Sequence, residues 1–334
     1  MTTAVLVMAY GTPTGKEDVE TFYTDVRRGR PPSEEQLSDL VRRYDAIGGI
    51  SPLNERTVDQ VDALQRALEA EAPGRFVTYY GAKHARPKIE EVVADIANDG
   101  ISSMIGVVLA PHYSVLSVGD YIERAAAAAA RHDLRAEFVM RWGDDEALVA
   151  LLAARVAEAL DELGGPPATT EVVFTAHSLP TRVLELGDRY PDELLSTASL
   201  VARRAGLTRF RTGWQSAGRT PEPWLGPDLL QLMATVAAEG VTHLVVCPAG
   251  FTSDHLEVLY DLDIEARVRA HELGLGFVRT RSLNDDPELG RLLARHVVAL
   301  VPSLDARCTP DTRPQQPASA AQSNTASRAK GRPS

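Results

Sequence analysis

Cysteine is scarce in this chain of 334 residues, which contains only Cys247 and Cys308. Two cysteines make no disulfide framework, so the sequence favours a reducing compartment. Long apolar runs are also missing, because the alanine run at 125–130 ends at an arginine on each side and is too short to cross a bilayer. The first residues, MTTAVLVMAYG, contain no basic segment. We therefore expect no targeting sequence, a cytoplasmic location and no stable membrane insertion.

Positive charge is in deficit, since 35 Lys and Arg face 46 Asp and Glu and the formal net charge is −11. Such an acidic chain excludes nucleic acid as the main partner and argues against anionic lipid. Phosphate-binding signatures are missing too: GTPTGKE has three residues between its glycines instead of four, and a glutamate follows its lysine. No G-x-G-x-x-G follows a predicted strand, so a dinucleotide has no support and we expect no permanently bound cofactor.

Short β-branched runs alternate with amphipathic helical patterns along the whole chain. Eight strands are predicted, near 4–9, 76–82, 103–110, 135–141, 171–176, 209–213, 243–248 and 276–280. Helices that follow strands this regularly indicate right-handed βαβ units on parallel sheets. The predicted fold class is therefore α/β, with two halves that each contain a four-stranded parallel sheet flanked by helices.

The segment GGPP near the middle of the chain suggests the boundary between the halves. The first half is predicted over 1–150 and includes a long insertion, 11–75, with about three helices; the second half covers 151–302. An insertion of this length in a compact domain is usually functional. The last predicted helix, 286–301, could pack on either half or across both. Residues 303–334 are rich in Pro, Ser, Ala and Gln and lack aromatics, which predicts a disordered tail.

Polar side chains follow several of the predicted strands. In open parallel sheets, ligands bind beyond the carboxyl ends of the strands. At these ends lie Tyr10, His112, His177 and a segment that contains Asp254, His255 and Glu257. Imidazole with carboxylate suits a metal such as Fe²⁺. Simpler interpretations remain open: a core aromatic for Tyr10, structural roles for the histidines, and a capping box formed by Asp254 and Glu257.

Charged residues form two further patterns. Glu257, Asp261 and Glu265 stand at i, i+4 and i+8 of a predicted helix and share one face, either an ordinary solvated face or a track for a cation. Arginines cluster in the insertion at 27–30 and 42–56. They could pair with local acids, or bind small carboxylates. A metal site beside an anion-binding patch and a possibly apolar cleft suggests a macrocycle with carboxylate arms as ligand.

Seven motifs occur in the order known from one family over about residues 4–300. They are LVMAYGTP, YDAIGGISPL, GAKHARP, VLAPHYS, TAHSLP, GWQSAGRTPEPWLGPD and PAGFTSDHLEVLYDLDIE. The chain thereby resembles the ferrochelatases, most closely the soluble coproporphyrin III ferrochelatases of monoderm bacteria. The resemblance implies two Rossmann-like domains with a porphyrin cleft between them, the type II chelatase fold. It also implies insertion of ferrous iron into coproporphyrin III to form coproheme in haem biosynthesis.

Other functions remain open at this point. Protoporphyrin IX is the alternative porphyrin, and a non-catalytic porphyrin or haem carrier is the alternative of another class. A cobalt or sirohydrochlorin chelatase would share the fold but should be organised around paired histidines. Porphyrin and ferrous iron are the expected partners of a protein expected to be a monomer. Two cysteines cannot supply the four ligands of the 2Fe–2S cluster that many ferrochelatases carry.

The resemblance also implies residue roles. His177 and Glu257 would be catalytic and handle ferrous iron, Tyr10 would approach the porphyrin iron from the opposite face, and Asp261 and Glu265 would form an outer metal track. The implied porphyrin contacts are Tyr10, Arg27, Arg43, Tyr44, Ser51 and Tyr121. The ordinary pKa of imidazole, about 6.5, would let His177 accept the pyrrole protons near neutral pH.

Overall fold

The computed structural model describes residues 2–218 and 220–306. It contains all eight predicted strands, each within two residues of its predicted ends. Most of the predicted disordered tail, from residue 307 onward, lies outside the described residues. Residues 303–306 were predicted as the start of that tail, but they form the end of a helix, so the prediction is wrong for them.

The first sheet has the strand order β2-β1-β3-β4, with all pairs parallel. Its strands are β1 (Thr3–Ala9), β2 (Phe76–Ala82), β3 (Ser103–Val108) and β4 (Arg135–Val139). Helices α4 (Ile89–Asn98) and α5 (Val118–Arg131) pack against Leu6 and Met8 on one face of β1. The insertion between β1 and β2 contains a 3₁₀ turn (Lys16–Asp18) and the helices α1 (Val19–Val26), α2 (Glu34–Ala46) and α3 (Leu53–Glu71).

The second sheet has the order β6-β5-β7-β8 and is also parallel. Its strands are β5 (Thr170–His177), β6 (Phe210–Gln215), β7 (His243–Cys247) and β8 (Gly276–Arg279). The helices of this half are α6 (Glu146–Leu163), α7 (Arg182–Glu185), α8 (Tyr190–Ala205), α9 (Leu229–Ala238), α10 (Leu256–Tyr260), α11 (Arg267–Leu273) and α12 (Pro287–Ala306). A 3₁₀ turn (Pro167–Thr169) precedes β5, and a π-helical segment (Asp261–Ala266) joins α10 to α11.

The two sheets have the same strand order, and this determines where a ligand can bind. In each sheet the order reverses beside the first strand, between β1 and β3 and between β5 and β7. Ligands of open α/β sheets bind in the crevice at such a reversal, outside the carboxyl ends of the strands. The segments that follow these four strands therefore provide the candidate site.

The last helix, α12, packs across both halves, chiefly on α3, β4 and β3 of the first half and also on α6 of the second. Gly290 permits the close approach to α3, because a Cβ at this position would lie 2.8 Å from the carbonyl oxygen of Ala63. One continuous apolar core joins both halves, with Ile105 from the first sheet and Phe174 from the second. Within 2–218 and 220–306, no helix combines the length and the apolar character needed to cross a membrane.

Candidate active site

Strand β5 carries His177 to the carboxyl edge of the second sheet. The preceding residues of the strand are buried, whereas the His177 side chain is 35% exposed. The Tyr190 hydroxyl donates to the His177 carbonyl at 3.1 Å, and His177 Nδ1 donates to the carbonyl of Ser178. Because a carbonyl oxygen can only accept, Nδ1 carries a proton, and Nε2 is the nitrogen available to the site.

Glu257, the second residue of α10, faces that nitrogen. Its Oε1 lies 3.4 Å from His177 Nε2, and its Oε2 lies 3.6 Å from Nε2 of His255. The His255 ring is oriented by Nδ1, which contacts the Ser253 carbonyl at 2.9 Å. The Gln215 side-chain amide donates to the Glu257 carbonyl at 3.1 Å. The carboxylate therefore lies between two imidazoles, at the start of a short helix.

His177 and Glu257 form an imidazolium–carboxylate pair at neutral pH. Burial lowers the pKa of His177, but the charge of Glu257 and the hydrogen bond to it outweigh burial and raise that pKa to about 9. Burial raises the pKa of Glu257, but the two imidazoles outweigh it and hold that pKa well below its usual range. The ordinary pKa expected for His177 is therefore wrong for the ligand-free protein, in which this imidazole already carries its second proton.

The capping box expected for Asp254 and Glu257 is not formed. Helix α10 begins one residue later than that motif requires, with His255 at the N-cap position. The Asp254 carboxylate instead accepts hydrogen bonds from Ser282 Oγ at 2.7 Å and Asn284 Nδ2 at 3.0 Å, and it lies 3.1 Å from the guanidinium of Arg279. A cation and two donors from the β8 segment thus compete successfully for Asp254, and the Glu257 carboxylate is left to face His177.

The acidic face that starts at Glu257 continues from the α-helix α10 into a π-helical segment. The sequence pattern predicts one continuous α-helix, but Asp261–Ala266 is π-helical. In an α-helix, a side chain four residues later points about 40° past the direction of the first, because four residues exceed one full turn. Four residues of π-helix, at about 4.4 residues per turn, fall short of a full turn by about 33°. The two steps offset each other, so Glu265 returns close to the direction of Glu257.

Asp261 is buried beside this face and is only 8% exposed. Ser216 Oγ donates to its Oδ2, and the Arg43 guanidinium lies 3.8 Å from its Oδ1. Burial, followed by the negative charges of Glu257 and Glu265, raises the pKa of Asp261 to about 7 against the opposing effects of Ser216 and Arg43. Asp261 and Glu265 also line a small cavity of ≈ 40 Å³ next to α9. The structure thus brings all three acids of the predicted track together.

Three tyrosines from the first half face the same region. The charge of Glu257, after burial, raises the pKa of both Tyr10 and Tyr44, which is about 12 for Tyr44. Tyr10 is 42% exposed, and Tyr44 Oη lies 3.2 Å from Thr12 Oγ1. Burial raises the pKa of Tyr121, and Tyr10 contributes to that rise, so these two phenols are also near each other. All three phenols are neutral at physiological pH.

The other predicted porphyrin contacts fall into two groups. Arg43 of α2 lies beside Asp261, and the Ser51 hydroxyl accepts from the first backbone N–H of α10 at 3.2 Å, so both adjoin the Glu257 helix. Arg27 instead contacts its own surroundings in the insertion: its Nε donates to the Arg30 carbonyl at 3.2 Å, and its guanidinium lies 5.6 Å from the ring centre of Tyr23 in α1. The structure thus joins Arg43 and Ser51 directly to the site, whereas the contacts of Arg27 stay within the insertion.

Comparison with known proteins identifies the family. The ferrochelatase family model matches residues 2–300. A ferrochelatase of Herpetosiphon aurantiacus is 46% identical over 297 residues, which cover 87% of this chain and 96% of that protein. A coproporphyrin III ferrochelatase of Halalkalibacterium halodurans is 43% identical over 293 residues, covering 87% and 94%. The chain belongs to the ferrochelatase family.

Solved structures support the fold. A sirohydrochlorin chelatase of Bacillus subtilis subspecies spizizenii, in complex with cobalt, superposes with a TM-score of 0.56 at 13% identity, over 92% of this chain and 98% of that one. This similarity shows the architecture alone. The two parallel four-stranded sheets with flanking helices are the two Rossmann-like domains of the type II chelatase fold, as predicted.

Two residues of the candidate site were not predicted from the sequence. Gln215 is the last residue of β6 and contacts the backbone of Glu257, and Ser216 follows it and contacts the side chain of Asp261. The rule that ligands bind at strand ends would have found them if it had been applied to this strand as well. His255 was predicted beside Asp254 and Glu257 at the end of a strand, but no spacing rule assigns it the contact with the Glu257 carboxylate.

Two histidines of the motifs have other surroundings. His112 is 2% exposed, and its Nε2 lies 2.9 Å from Thr197 Oγ1, so the structural interpretation holds for it. His84 lies beside Tyr10: its ring centroid is 4.6 Å from that of Tyr10, and its Nδ1 is 2.7 Å from Asp25 Oδ2. Burial chiefly lowers the pKa of His84 to about 4, so it packs against Tyr10 as a neutral ring, with the two ring planes tilted by 56°.

Proposed function

We propose that this ferrochelatase-family protein inserts ferrous iron into coproporphyrin III to give Fe-coproporphyrin III in haem biosynthesis. The observation that carries the proposal is the 3.4 Å contact between His177 and Glu257, in a region that also contains Tyr10 and Tyr44. The choice of porphyrin is supported by relatives named coproporphyrin III ferrochelatase, which are 41–43% identical. Protoporphyrin IX is the alternative substrate.

The charge state of the pair determines how His177 can act. Insertion of Fe²⁺ requires two pyrrole N–H protons to leave the macrocycle. An imidazolium cannot accept either of them, so His177 must first release its Nε2 proton to the solvent, which its 35% exposure allows. When Fe²⁺ approaches the Glu257 carboxylate, its charge opposes the imidazolium and lowers the pKa of His177. The neutral imidazole that results has the right form to bind metal or to take a pyrrole proton.

The acidic face would deliver the metal. Asp261 and Glu265 continue from Glu257 beyond the site, and both line a cavity with room for water. Oxygen donors of this kind hold a hydrated divalent cation loosely enough to release it. Iron would therefore pass along Glu265 and Asp261 to Glu257, whose carboxylate and neighbouring imidazoles are donor types that Fe²⁺ accepts.

The porphyrin would be held between Tyr10 on one face and His177 on the other. Tyr10 is a neutral phenol that is 42% exposed, so it would be available to the metal from the face opposite His177. Arg27, Arg43, Tyr44, Ser51 and Tyr121 would contact the porphyrin or its carboxylates. A guanidinium binds a carboxylate through two parallel hydrogen bonds, so anchoring these arms fixes the ring against the pair.

We further infer that the protein needs no resident cofactor or 2Fe–2S cluster. Cys247 is buried in β7, where burial raises the pKa of its thiol to about 12, so it supplies no thiolate at neutral pH. Cys308 lies outside the described residues. The low cysteine content and the net charge of −11 support a cytoplasmic monomer without nucleic-acid partners.

Anaerobic absorbance spectroscopy of the purified protein with Fe²⁺ tests the proposal, with coproporphyrin III and protoporphyrin IX offered separately. The expected result is faster catalytic conversion of coproporphyrin III, which has four carboxylates. Faster conversion of protoporphyrin IX would keep the reaction but reject the substrate. Binding of both without metal insertion would favour the porphyrin carrier and overturn the catalytic role.

A further inference from the structure

Tyr260, the last residue of α10, is 4% exposed and packs against two arginines of α2. Arg42 donates to its phenol oxygen at 2.7 Å, and the guanidinium carbon of Arg43 lies 4.9 Å from its ring centre. Asp39, one turn earlier on α2, accepts from Arg42 at 2.6 Å and from Arg43 at 3.1 Å and so orients both guanidiniums. Through Arg42 and Arg43 the insertion therefore holds the C-terminal end of α10 in place.

The insertion also holds the other end of this helix. His255, at the N-cap position, makes no side-chain cap. The first backbone N–H of α10, that of Leu256, instead donates to Ser51 Oγ at 3.2 Å. Ser51 lies in the loop between α2 and α3. A hydroxyl from a distant part of the chain therefore satisfies one of the free N–H groups at the start of α10, a task usually left to a local capping side chain.

These contacts matter because α10 has only five residues. A helix this short is unstable by itself and keeps its position through its neighbours. Glu257 lies one residue after Leu256 and three residues before Tyr260, between the two points of attachment. A reacting carboxylate has to be held to within about 0.5 Å of its productive position.

We propose that Tyr260 and Ser51 are positioning residues through which the insertion holds the Glu257 carboxylate against His177. This inference rests on the proposed function of Glu257 in metal insertion. It gives the long insertion a second task besides contact with the porphyrin. Ser51 and Arg43 adjoin α10 and are also proposed contacts of the porphyrin carboxylates. Binding of the porphyrin should therefore reduce the motion of the insertion relative to α10. Porphyrin binding should therefore slow amide hydrogen exchange in α10.

The first experiment measures hydrogen exchange of peptides that cover α10 in the protein alone. Tyr260→Phe removes only the phenol oxygen, and Ser51→Ala removes only the capping hydroxyl. Loss of one ordinary hydrogen bond should speed exchange in α10 by about five- to ten-fold in each variant. Tyr79→Phe is the matched control, since it deletes a phenol that donates to Asp99 at 2.7 Å on the surface of the first half. Exchange in α10 that is unchanged in both test variants would overturn the proposal.

The second experiment compares steady-state iron insertion by wild type, Tyr260→Phe and Tyr79→Phe. The expected result for Tyr260→Phe is a kcat lowered about ten-fold, with the porphyrin KM at its wild-type value and the thermal midpoint lowered by only a few degrees. Faster exchange with an unchanged kcat would overturn the positioning role. If wild type showed no insertion, the proposed function would fail, whereas the exchange rates would still decide whether these residues hold α10.

Discussion

Replacing Glu257 by glutamine should return His177 to its neutral form at neutral pH. The amide keeps nearly the same shape but removes the negative charge. In the native protein, burial lowers the pKa of His177 and the carboxylate overcomes this effect, giving a pKa of about 9. In Glu257→Gln the largest effect that raises this pKa is gone, and burial then outweighs the remaining hydrogen bond to Ser178 and the charge of Asp261, so the pKa of His177 should fall below the ordinary value of about 6.5.

The size and sign of the stability change follow from that shift. A fall from about 9 to 6.5 corresponds to ~3 kcal/mol of interaction. Because each side chain is 35% exposed, water screens the pair, and we expect a loss of about 1 kcal/mol in the free energy of unfolding. A raised imidazole pKa stabilises the fold fully below about pH 6.5 and ceases to do so as the pH rises through 9. Wild type and variant should therefore differ most near pH 6.5 and converge above about pH 10.

Proton NMR of the His177 ring between pH 5 and 10 measures the pKa directly, and urea unfolding at pH 6.5 and 10 measures the stability. Glu265→Gln is the control, because it removes an acid from the same face while the partner of His177 stays in place. The control should leave His177 titrating near pH 9. A pKa that stayed near 9 in Glu257→Gln would refute the reasoning, since the carboxylate would then not be what holds the proton.

Three other outcomes are expected. His177→Ala should abolish iron insertion while porphyrin still binds, as seen by absorbance titration; turnover at the wild-type rate would contradict the role of His177. Asp261→Ala with Glu265→Ala should raise the iron KM by about ten-fold or more without changing porphyrin affinity, because only the metal route is altered; an unchanged iron KM in steady-state assays would reject the route. His112 is buried, and burial lowers its pKa to about 4, whereas the unfolded chain takes up this proton below about pH 6.5. Its contribution is therefore complete above pH 6.5 and declines by up to ~3 kcal/mol toward pH 4, so urea unfolding should show a shallower acid loss in His112→Gln than in wild type.

The strands were predictable because their signal is local. Buried parallel strands are continuous apolar runs, and β1 and β3 are buried along their whole length. Short runs of this kind that are rich in β-branched residues fit a strand buried on both faces. The π-helical segment at Asp261–Ala266 carries no such signal, since its apolar spacing also fits an α-helix. Its Asp261 contacts Ser216, which follows β6, and Arg43 of α2, and both are distant in sequence.

The sequence was sufficient to predict that His177 and Glu257 belong to the candidate site, but it was not sufficient to predict their protonation states. Strand ends and motif resemblance selected His177 and Glu257, and the structure places them in contact. The pattern Asp254-x-x-Glu257 suggested a capping box because local spacing is all that a sequence displays. The competing partners of Asp254 come from the β8 segment, and the capping hydroxyl of Ser51 lies 205 positions before its partner. The protonation of His177 likewise follows from contacts that only the folded chain creates.

The environment of Asp261 contradicts the interpretation that Glu257, Asp261 and Glu265 form an ordinary solvated helix face. Acids on a solvated face are exposed and repel one another weakly, but Asp261 is buried, and its pKa is raised to about 7 by burial and by the two neighbouring acids. Within the described residues its Oδ1 has no hydrogen-bond donor, and a buried polar atom left in this state costs about 1–3 kcal/mol. Arg43, at 3.8 Å, offsets only part of that cost. A divalent cation passing between Glu265 and Glu257 would remove the rest, which is why we infer that this face is a route for the metal.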